Sequence, residues 1–227
     1  RGFDFSGYKQ SGLARRITKR CSDVGVEDLD EYRDYLEANP DEFERLFDTI
    51  LINVTGFLRD PDAWEYLRTR VIPAVYESHK TAEPIRCWSA GCASGEEAYG
   101  LAILFAEELG AEALRDKVKI YATDADEAAL ARARLATYSA GSIKDMPGEY
   151  RDKYFENVSG SFVVRSELRR SVIFGRNDLV QDAPISRLDL LACRNTLMYF
   201  NAEVQSRILS RFHFALKDSG YLFLGKA

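Results

Sequence analysis

The sequence predicts an α/β protein: a mainly parallel sheet covered by helices, preceded by a small helical domain and carrying an inserted β-subdomain. Three observations predict it. Apolar residues recur at helical spacing through residues 1–60, and from Ile85 onward short apolar strands alternate with helical segments. Between Thr137 and Arg170 the alternation breaks, with Gly141, Pro147, Gly148 and Gly160 around a short β-like run at Phe162 to Arg165. The implied organisation is a helical domain at 1–60, a helical linker at 61–84 and an α/β domain at 85–227 with its insert at about 137–170.

In chain order, Leu13 and Ile17 mark a first helix, Leu29, Tyr32, Tyr35 and Leu36 a second, and Phe43, Leu46, Phe47, Ile50 and Leu51 a third. Asn39-Pro40 separates the last two, because the residue before proline avoids helical angles while proline suits a first helical turn. Beyond Arg59-Asp60-Pro61, the residues Trp64, Leu67, Val71 and Ile72 predict a further helix, interrupted at Pro73. Strands are expected at Ile85 to Ala90, Val118 to Thr123, Val172 to Gly175, Leu188 to Cys193 and Tyr221 to Gly225. Helices are expected near Glu97 to Leu109, Asp126 to Ala136 and Ala202 to Leu216. Strands joined by helices imply right-handed crossovers, and ligands of such sheets bind at the carboxyl ends of the strands.

Composition removes several classes. A chain of 227 residues, 46% hydrophobic and 30% charged, has the make-up of a globular protein with a sizeable core. Apolar runs such as 101–106 are far shorter than the ~20 residues that cross a bilayer, and no charged-then-apolar signal opens the chain, so a cytoplasmic location without membrane insertion is expected. The cysteines Cys21, Cys87, Cys92 and Cys193 form no CxxC pair, so neither a metal site nor a disulfide framework is expected. A net charge of −5 argues against a nucleic-acid partner. Charge is uneven, however: residues 1–25 carry Arg1, Lys9, Arg15, Arg16, Lys19 and Arg20 against Asp4 and Asp23. That patch is either a solvated helix face or a surface for an acidic protein partner.

The strand tips carry the chemistry. After the first strand, Gly91-Cys92-Ala93-Ser94-Gly95-Glu96-Glu97 is a glycine-containing turn that opens a helix, but its spacing is not GxGxxG. Two glutamates at a helix start would repel a pyrophosphate and attract an ammonium or sulfonium; alternatively they only complement the helix dipole. The second strand ends at Asp124, placed to accept ribose hydroxyls, with Asp126 as the N-cap of the next helix. An acid or amide in Asn177-Asp178 suits the exocyclic amine of adenine, while Leu179 covers the ring; Cys193-Arg194-Asn195 ends the fourth strand on the same edge.

Together these segments resemble a known family. Asn53-Val54-Thr55-Gly56-Phe57-Leu58-Arg59-Asp60, then CWSAGCASGEEAY, YATDAD and LACRNTLMYF, are similar in order and spacing to the signature segments of the CheR chemotaxis protein-glutamate methyltransferases. The likeness runs from Phe3 to Gly225. It implies a Rossmann-like S-adenosylmethionine-dependent methyltransferase sheet, with the helical domain in front and a small β-subdomain inserted. It implies that Asn53, Thr55, Arg59, Glu97, Asp124, Asp178, Leu179, Cys193 and Arg194 line the S-adenosyl-L-methionine site, with S-adenosyl-L-homocysteine as product, and that Tyr199 stands near the transferred methyl. It also implies that the basic residues Lys9, Arg15, Arg16, Lys19 and Arg20 meet an acidic helical region of a chemoreceptor or similar signalling protein. A monomer is expected. Two departures are Phe57-Leu58 in place of Phe-Phe and Asn177-Asp178 in place of Leu-Asn, and the chain stops where family members continue into a last strand, as a fragment would.

The expected reaction needs no base, because a glutamate carboxylate of pKa near 4.3 is already ionised at neutral pH. Arg59 and Tyr199 are expected to orient a carboxylate, of the substrate or of the cofactor; the alternatives are a helix-edge ion pair for Arg59 and a core position for Tyr199. A non-catalytic cofactor-sensing or scaffold module is the competing function. RNA methylation is disfavoured by the acidic balance, and an NAD dehydrogenase by Glu96-Glu97.

Overall fold

A computed structural model describes residues 3–51, 55–79 and 83–225. Three helices come first: α1 (Gln10–Val24), α2 (Leu29–Ala38) and α3 (Pro40–Ile50). Their stops follow local chemistry. Gly25 takes a left-handed conformation (φ 77°) that closes α1, the Asp28 side chain accepts from the Asp30 N–H to start α2, and Pro40 opens α3. Tyr32, Cys21 and Val26 form the small core these helices share, with Ile17, Leu36 and Leu46 packed around it. A polar knot ties them further: buried Glu42 of α3 accepts from Arg20 Nε and Nη2 of α1 at 2.8 and 2.7 Å and from the Tyr32 hydroxyl of α2 at 2.9 Å.

The linker helix runs through Pro73 rather than being interrupted there. α4 (Pro61–Tyr66) continues through a π-helical turn at Leu67–Val71 into α5 (Ile72–Ser78). Proline lacks an N–H and crowds the preceding turn, and one wide turn absorbs that clash without ending the helix.

The α/β part is built from β1 (Ile85–Ala90), α6 (Glu96–Leu109), α7 (Ala111–Lys117), β2 (Val118–Asp124) and α8 (Glu127–Leu135). The insert follows as β3 (Thr137–Ser139), α9 (Gly148–Tyr154), β4 (Phe155–Val158), β5 (Ser161–Val164) and α10 (Ser166–Arg169). The chain then returns through β6 (Val172–Arg176), β7 (Leu188–Cys193), α11 (Ala202–Ala215) and β8 (Leu216–Leu224). The main sheet has the order β6-β2-β1-β7-β8, parallel throughout, and the insert makes a separate antiparallel sheet in the order β3-β5-β4. β1 and β7 are apolar along nearly their whole length because helices cover both faces of the sheet. α6 is buried from Glu96 to Ala106, its apolar residues continuing around the helix because it is covered on all sides.

A backbone seam helps join the helical part to the α/β part. Tyr8 forms an isolated antiparallel bridge with Phe200, the Lys9 N–H donates to the Tyr199 carbonyl at 2.9 Å, and the Asn201 N–H donates to the Gly7 carbonyl at 2.9 Å. The rings of Tyr8 and Phe200 pack edge to face, 4.8 Å between centroids. Among the described residues no helix is long and apolar enough to cross a membrane. All four cysteines are unpaired and buried.

Candidate active site

The cleft lies over the carboxyl ends of β1, β2, β6 and β7, where the reversal of strand order around β1 leaves a crevice in a parallel sheet. It takes in about 960 Å³ with its open mouth included. Thr55, Arg59, Glu97, Asp124, Asp178, Leu179, Arg194 and Tyr199 all line it. Cys193 does not: it is the last residue of β7, fully enclosed in the core behind the cleft wall. Asn53 lies outside the described residues.

Asp124 closes β2 and is fixed from two sides. Its Oδ2 accepts from the Ala93 N–H at 2.8 Å and its Oδ1 from the Asp126 N–H at 3.0 Å. Burial raises its pKa, and these backbone donors oppose the rise. Each oxygen keeps a lone pair for a ligand, which suits a pair of vicinal hydroxyls. Asp126 has the capping role expected of it, its Oδ1 accepting from the Ala128 and Ala129 N–H groups.

Glu97 is the most strained charge in the cleft. It accepts from the Ser89 hydroxyl at 2.6 Å, and its pKa is pushed up to about 7, chiefly by burial, against the pull of that bond and of the Arg194 charge. Arg194 does not reach it as an ion-pair partner, because Nη2 is 2.7 Å from Asp60 and Nη1 is 2.6 Å from the Arg59 carbonyl. Among the described residues no cation lies within ion-pair distance of Glu97. A buried carboxylate with that shortfall matches the ammonium of an amino-acid ligand.

Arg194 is therefore a clamp on the backbone of residues 59–60 rather than a free ligand for the cofactor. Its guanidinium also stacks on Trp64 and Phe223, 5.5 and 4.9 Å from the ring centres. The clamp holds Asp60 in a left-handed conformation (φ 62°) and leaves the exposed Arg59 side chain at the cleft.

Asn177 lines the cleft just beyond β6. Its Oδ1 is buried without a hydrogen-bond partner, while its amide donates to the Ala183 carbonyl at 3.3 Å. Asp178, in contrast, is engaged with its own loop: Oδ1 accepts from the Val180 N–H at 2.9 Å, and its N–H donates to Asp182. Both side chains keep an acceptor, since Asn177 Oδ1 is unpaired and only Oδ1 of Asp178 is engaged among the described residues. Trp64 Nε1 and Arg194 Nε also lack partners, so three residues around one cleft carry orphaned buried polar atoms. Such atoms cost about 1–3 kcal/mol each unless a ligand or water meets them.

The glycine turn serves packing as much as the ligand. A Cβ on Gly91 (φ 78°) would lie 2.5 Å from Thr196 Oγ1, and one on Gly95 (φ 94°) 3.0 Å from Ala133. Only glycine lets β1's tip approach the loop after β7 so closely.

The basic residues divide. Lys9 and Arg15 are exposed, and exposed Lys19 pairs with Asp23 at 2.9 Å. Arg20 is not offered to a partner, since its guanidinium is engaged by Glu42 inside the helical core. Arg16 is buried with its guanidinium 5.1 Å from the centre of the Tyr199 ring. Sequence reasoning missed Tyr8 and Trp64 as cleft walls. The aromatic cluster Phe3, Phe5 and Tyr8 ahead of α1 was the available signal, for such rings need a surface to cover.

A parallel sheet with acids at the tips of β1 and β2, and a cleft that presents a lone buried carboxylate, a diol acceptor and an amide acceptor, defines the class of S-adenosylmethionine-dependent methyltransferases. Residues 53–227 match the CheR methyltransferase, SAM binding domain, and residues 1–51 match the CheR methyltransferase, all-alpha domain. The chain belongs to the CheR methyltransferase family and binds S-adenosylmethionine. An uncharacterized 104.1 kDa protein of Rhodobacter capsulatus is 37% identical over 98% of this chain, which spans 23% of that protein. Chemotaxis protein methyltransferase of Listeria innocua is 31% identical over 99% of this chain and 83% of its own length. Chemotaxis protein methyltransferase 1 of Pseudomonas aeruginosa is 31% identical over 99% of this chain and 84% of its own.

Proposed function

We propose that the chain transfers a methyl group from S-adenosylmethionine to glutamate side-chain carboxylates of a chemotaxis-type receptor or another signalling protein. The observation that carries this reading is the make-up of the cleft's lining. Besides its acids it holds a cation and phenols, Arg59, Tyr199 and Tyr8, and among the described residues neither histidine, lysine nor cysteine lines it. Glu97 and Asp124 are the carboxylates this reading gives to the cofactor, which leaves Arg59, Tyr199 and Tyr8 for the acceptor. A carboxylate arrives with its charge already in place.

When bound, S-adenosylmethionine supplies a methyl on a positive sulfur, which an in-line nucleophile displaces. Asp124 would hold the ribose hydroxyls, Glu97 the ammonium, Asp178 or Asn177 the adenine amine, and Leu179 the face of the ring. Arg59 and Tyr199 remain for carboxylate groups at the mouth, and they act by hydrogen bonding and orientation. Arg16 beneath Tyr199 holds that phenol by cation–π contact, so the substrate side of the cleft is shaped in part by the helical domain. Exposed Lys9, Arg15 and Lys19 on the same helical domain suit an acidic helical partner, with Arg20 serving the fold.

The test is incubation with methyl-labelled S-adenosylmethionine and receptor signalling domains, followed by alkaline hydrolysis. Base-labile label that disappears when receptor glutamates are changed to alanine is the expected result. Cofactor binding without any transfer, to receptor domains that a CheR-family enzyme does methylate, would favour the sensor reading instead.

A further inference from the structure

A second groove runs along the outer edge of the main sheet, away from the methyl-transfer cleft. β6 pairs only with β2, so its other side is an open edge. Val172 and Phe174 form the floor, and Arg134 from the end of α8, with Ser166, Arg169 and Arg170 around α10, form the rim. The space is about 760 Å³, open mouth included. Among the described residues no acidic side chain lines it.

Two features of this groove coincide. The first is backbone direction. The Ser171 carbonyl accepts from the Ile120 N–H and the Asn177 N–H donates to the Asp124 carbonyl, so residues 171, 173, 175 and 177 turn their backbone groups toward β2. Alternation then turns those of Val172 and Phe174 to the open side, where no backbone partner meets them among the described residues. The second is charge. Arg170 and Arg169 are exposed, Arg169 meets the Arg134 carbonyl at 3.4 Å and the Tyr99 hydroxyl but no carboxylate among the described residues, and the Arg134 pair with Glu127 is a surface pair, 43% and 60% exposed, of little strength.

We propose that this groove docks an extended acidic segment of a protein partner, which adds to the edge of β6 as a further strand while its carboxylates pair with Arg134, Arg169 and Arg170. Strand addition supplies affinity through main-chain hydrogen bonds, and side-chain contacts supply the choice of partner. A small anion would satisfy the arginines but leave the Val172 and Phe174 backbone unmet. An acidic strand meets both. The inference stands apart from the identity of the methyl acceptor.

Fluorescence anisotropy with a fluorescein-labelled peptide of alternating glutamate and valine tests it on the whole chain, alongside hydrogen exchange. The expected result is binding that weakens with salt, falls about tenfold or more in Arg169→Glu/Arg170→Glu and measurably in Arg170→Gln, and slows exchange at the Val172 and Phe174 amides. N-methylation of alternate peptide residues should abolish it. S-adenosylmethionine affinity, unchanged in both variants, confirms that they fold. Absence of binding, indifference to charge reversal, or equal binding of the N-methylated peptide or of inorganic phosphate would overturn the proposal. In those cases the arginines only keep an edge strand solvated.

Discussion

Glu97→Gln isolates the charge that the proposed reading gives to the cofactor's ammonium. In the ligand-free protein burial pushes this carboxyl up to about 7, so it is about 3% ionised at pH 5.5 and about half ionised at pH 7. A ligand ammonium restores the missing counter-charge and lowers that pKa in the complex, so binding selects the ionised form. Calorimetric titration with S-adenosylmethionine should show affinity rising about 15-fold between those two pH values, a range in which the ligand's amino group stays mostly protonated. The glutamine variant keeps the Ser89 contact but loses the charge-assisted bond, worth about 1.5–3 kcal/mol, so it should bind about 10- to 150-fold more weakly at pH 7 with a flat profile. The stability of the ligand-free protein should move the other way. A carboxyl whose folded pKa lies above its unfolded value stabilises below about 4.5, and that contribution is lost as pH rises to about 7, up to about 3 kcal/mol in all. Thermal melts of the variant without cofactor should lack that decline. A flat wild-type binding profile, or a slope that persists in Glu97→Gln, would refute the assignment and pass the titration to another group such as Asp124.

Three further outcomes are expected. Arg59→Ala should lower methyl transfer at least 100-fold with an unchanged thermal midpoint, because the side chain is exposed and its backbone is held by Arg194; near-normal turnover with labelled cofactor would remove it from the mechanism. Glu42→Gln should destabilise the protein by about 3 kcal/mol, since it leaves Arg20 partly buried without its carboxylate; a denaturant midpoint within error of wild type would show the knot to be dispensable. Gly91→Ala should cost cofactor affinity and stability together, because the new Cβ meets Thr196 at 2.5 Å in a left-handed backbone. Gly91→Ala paired with Thr196→Ala should recover part of the loss, and a double variant no better than the single one would place the strain elsewhere.

The parallel sheet was legible because its inner strands are continuous apolar runs, and Leu188 to Cys193 was bounded correctly on that ground alone. The short helices α7, α9 and α10 escaped because four to seven residues give too few turns for a periodicity to show. The cleft acids were legible from their positions at strand tips. What the arginines do was not: Arg20, Arg16 and Arg194 all read as cations available to a ligand, yet each is committed to a partner distant in sequence or beneath a ring. A charge says nothing about its counter-charge until the fold brings the two together. Pro73 misled for a related reason, since one wide turn lets the helix pass it.

The seam at Tyr8 and Phe200 has a consequence for how this chain can be divided. Lys9 donates to the backbone of Tyr199 and Asn201 donates to Gly7, so the strap ahead of the first helix is stitched to the segment that carries the candidate methyl-side tyrosine. Family boundaries separate residues 1–51 from 53–227, but the site does not respect that division. A catalytic half expressed from residue 53 would keep its sheet and lose one wall of its pocket together with the contacts that set Tyr199. The helical part is thus a wall of the candidate site itself, through Tyr8, Ile50 and Leu51.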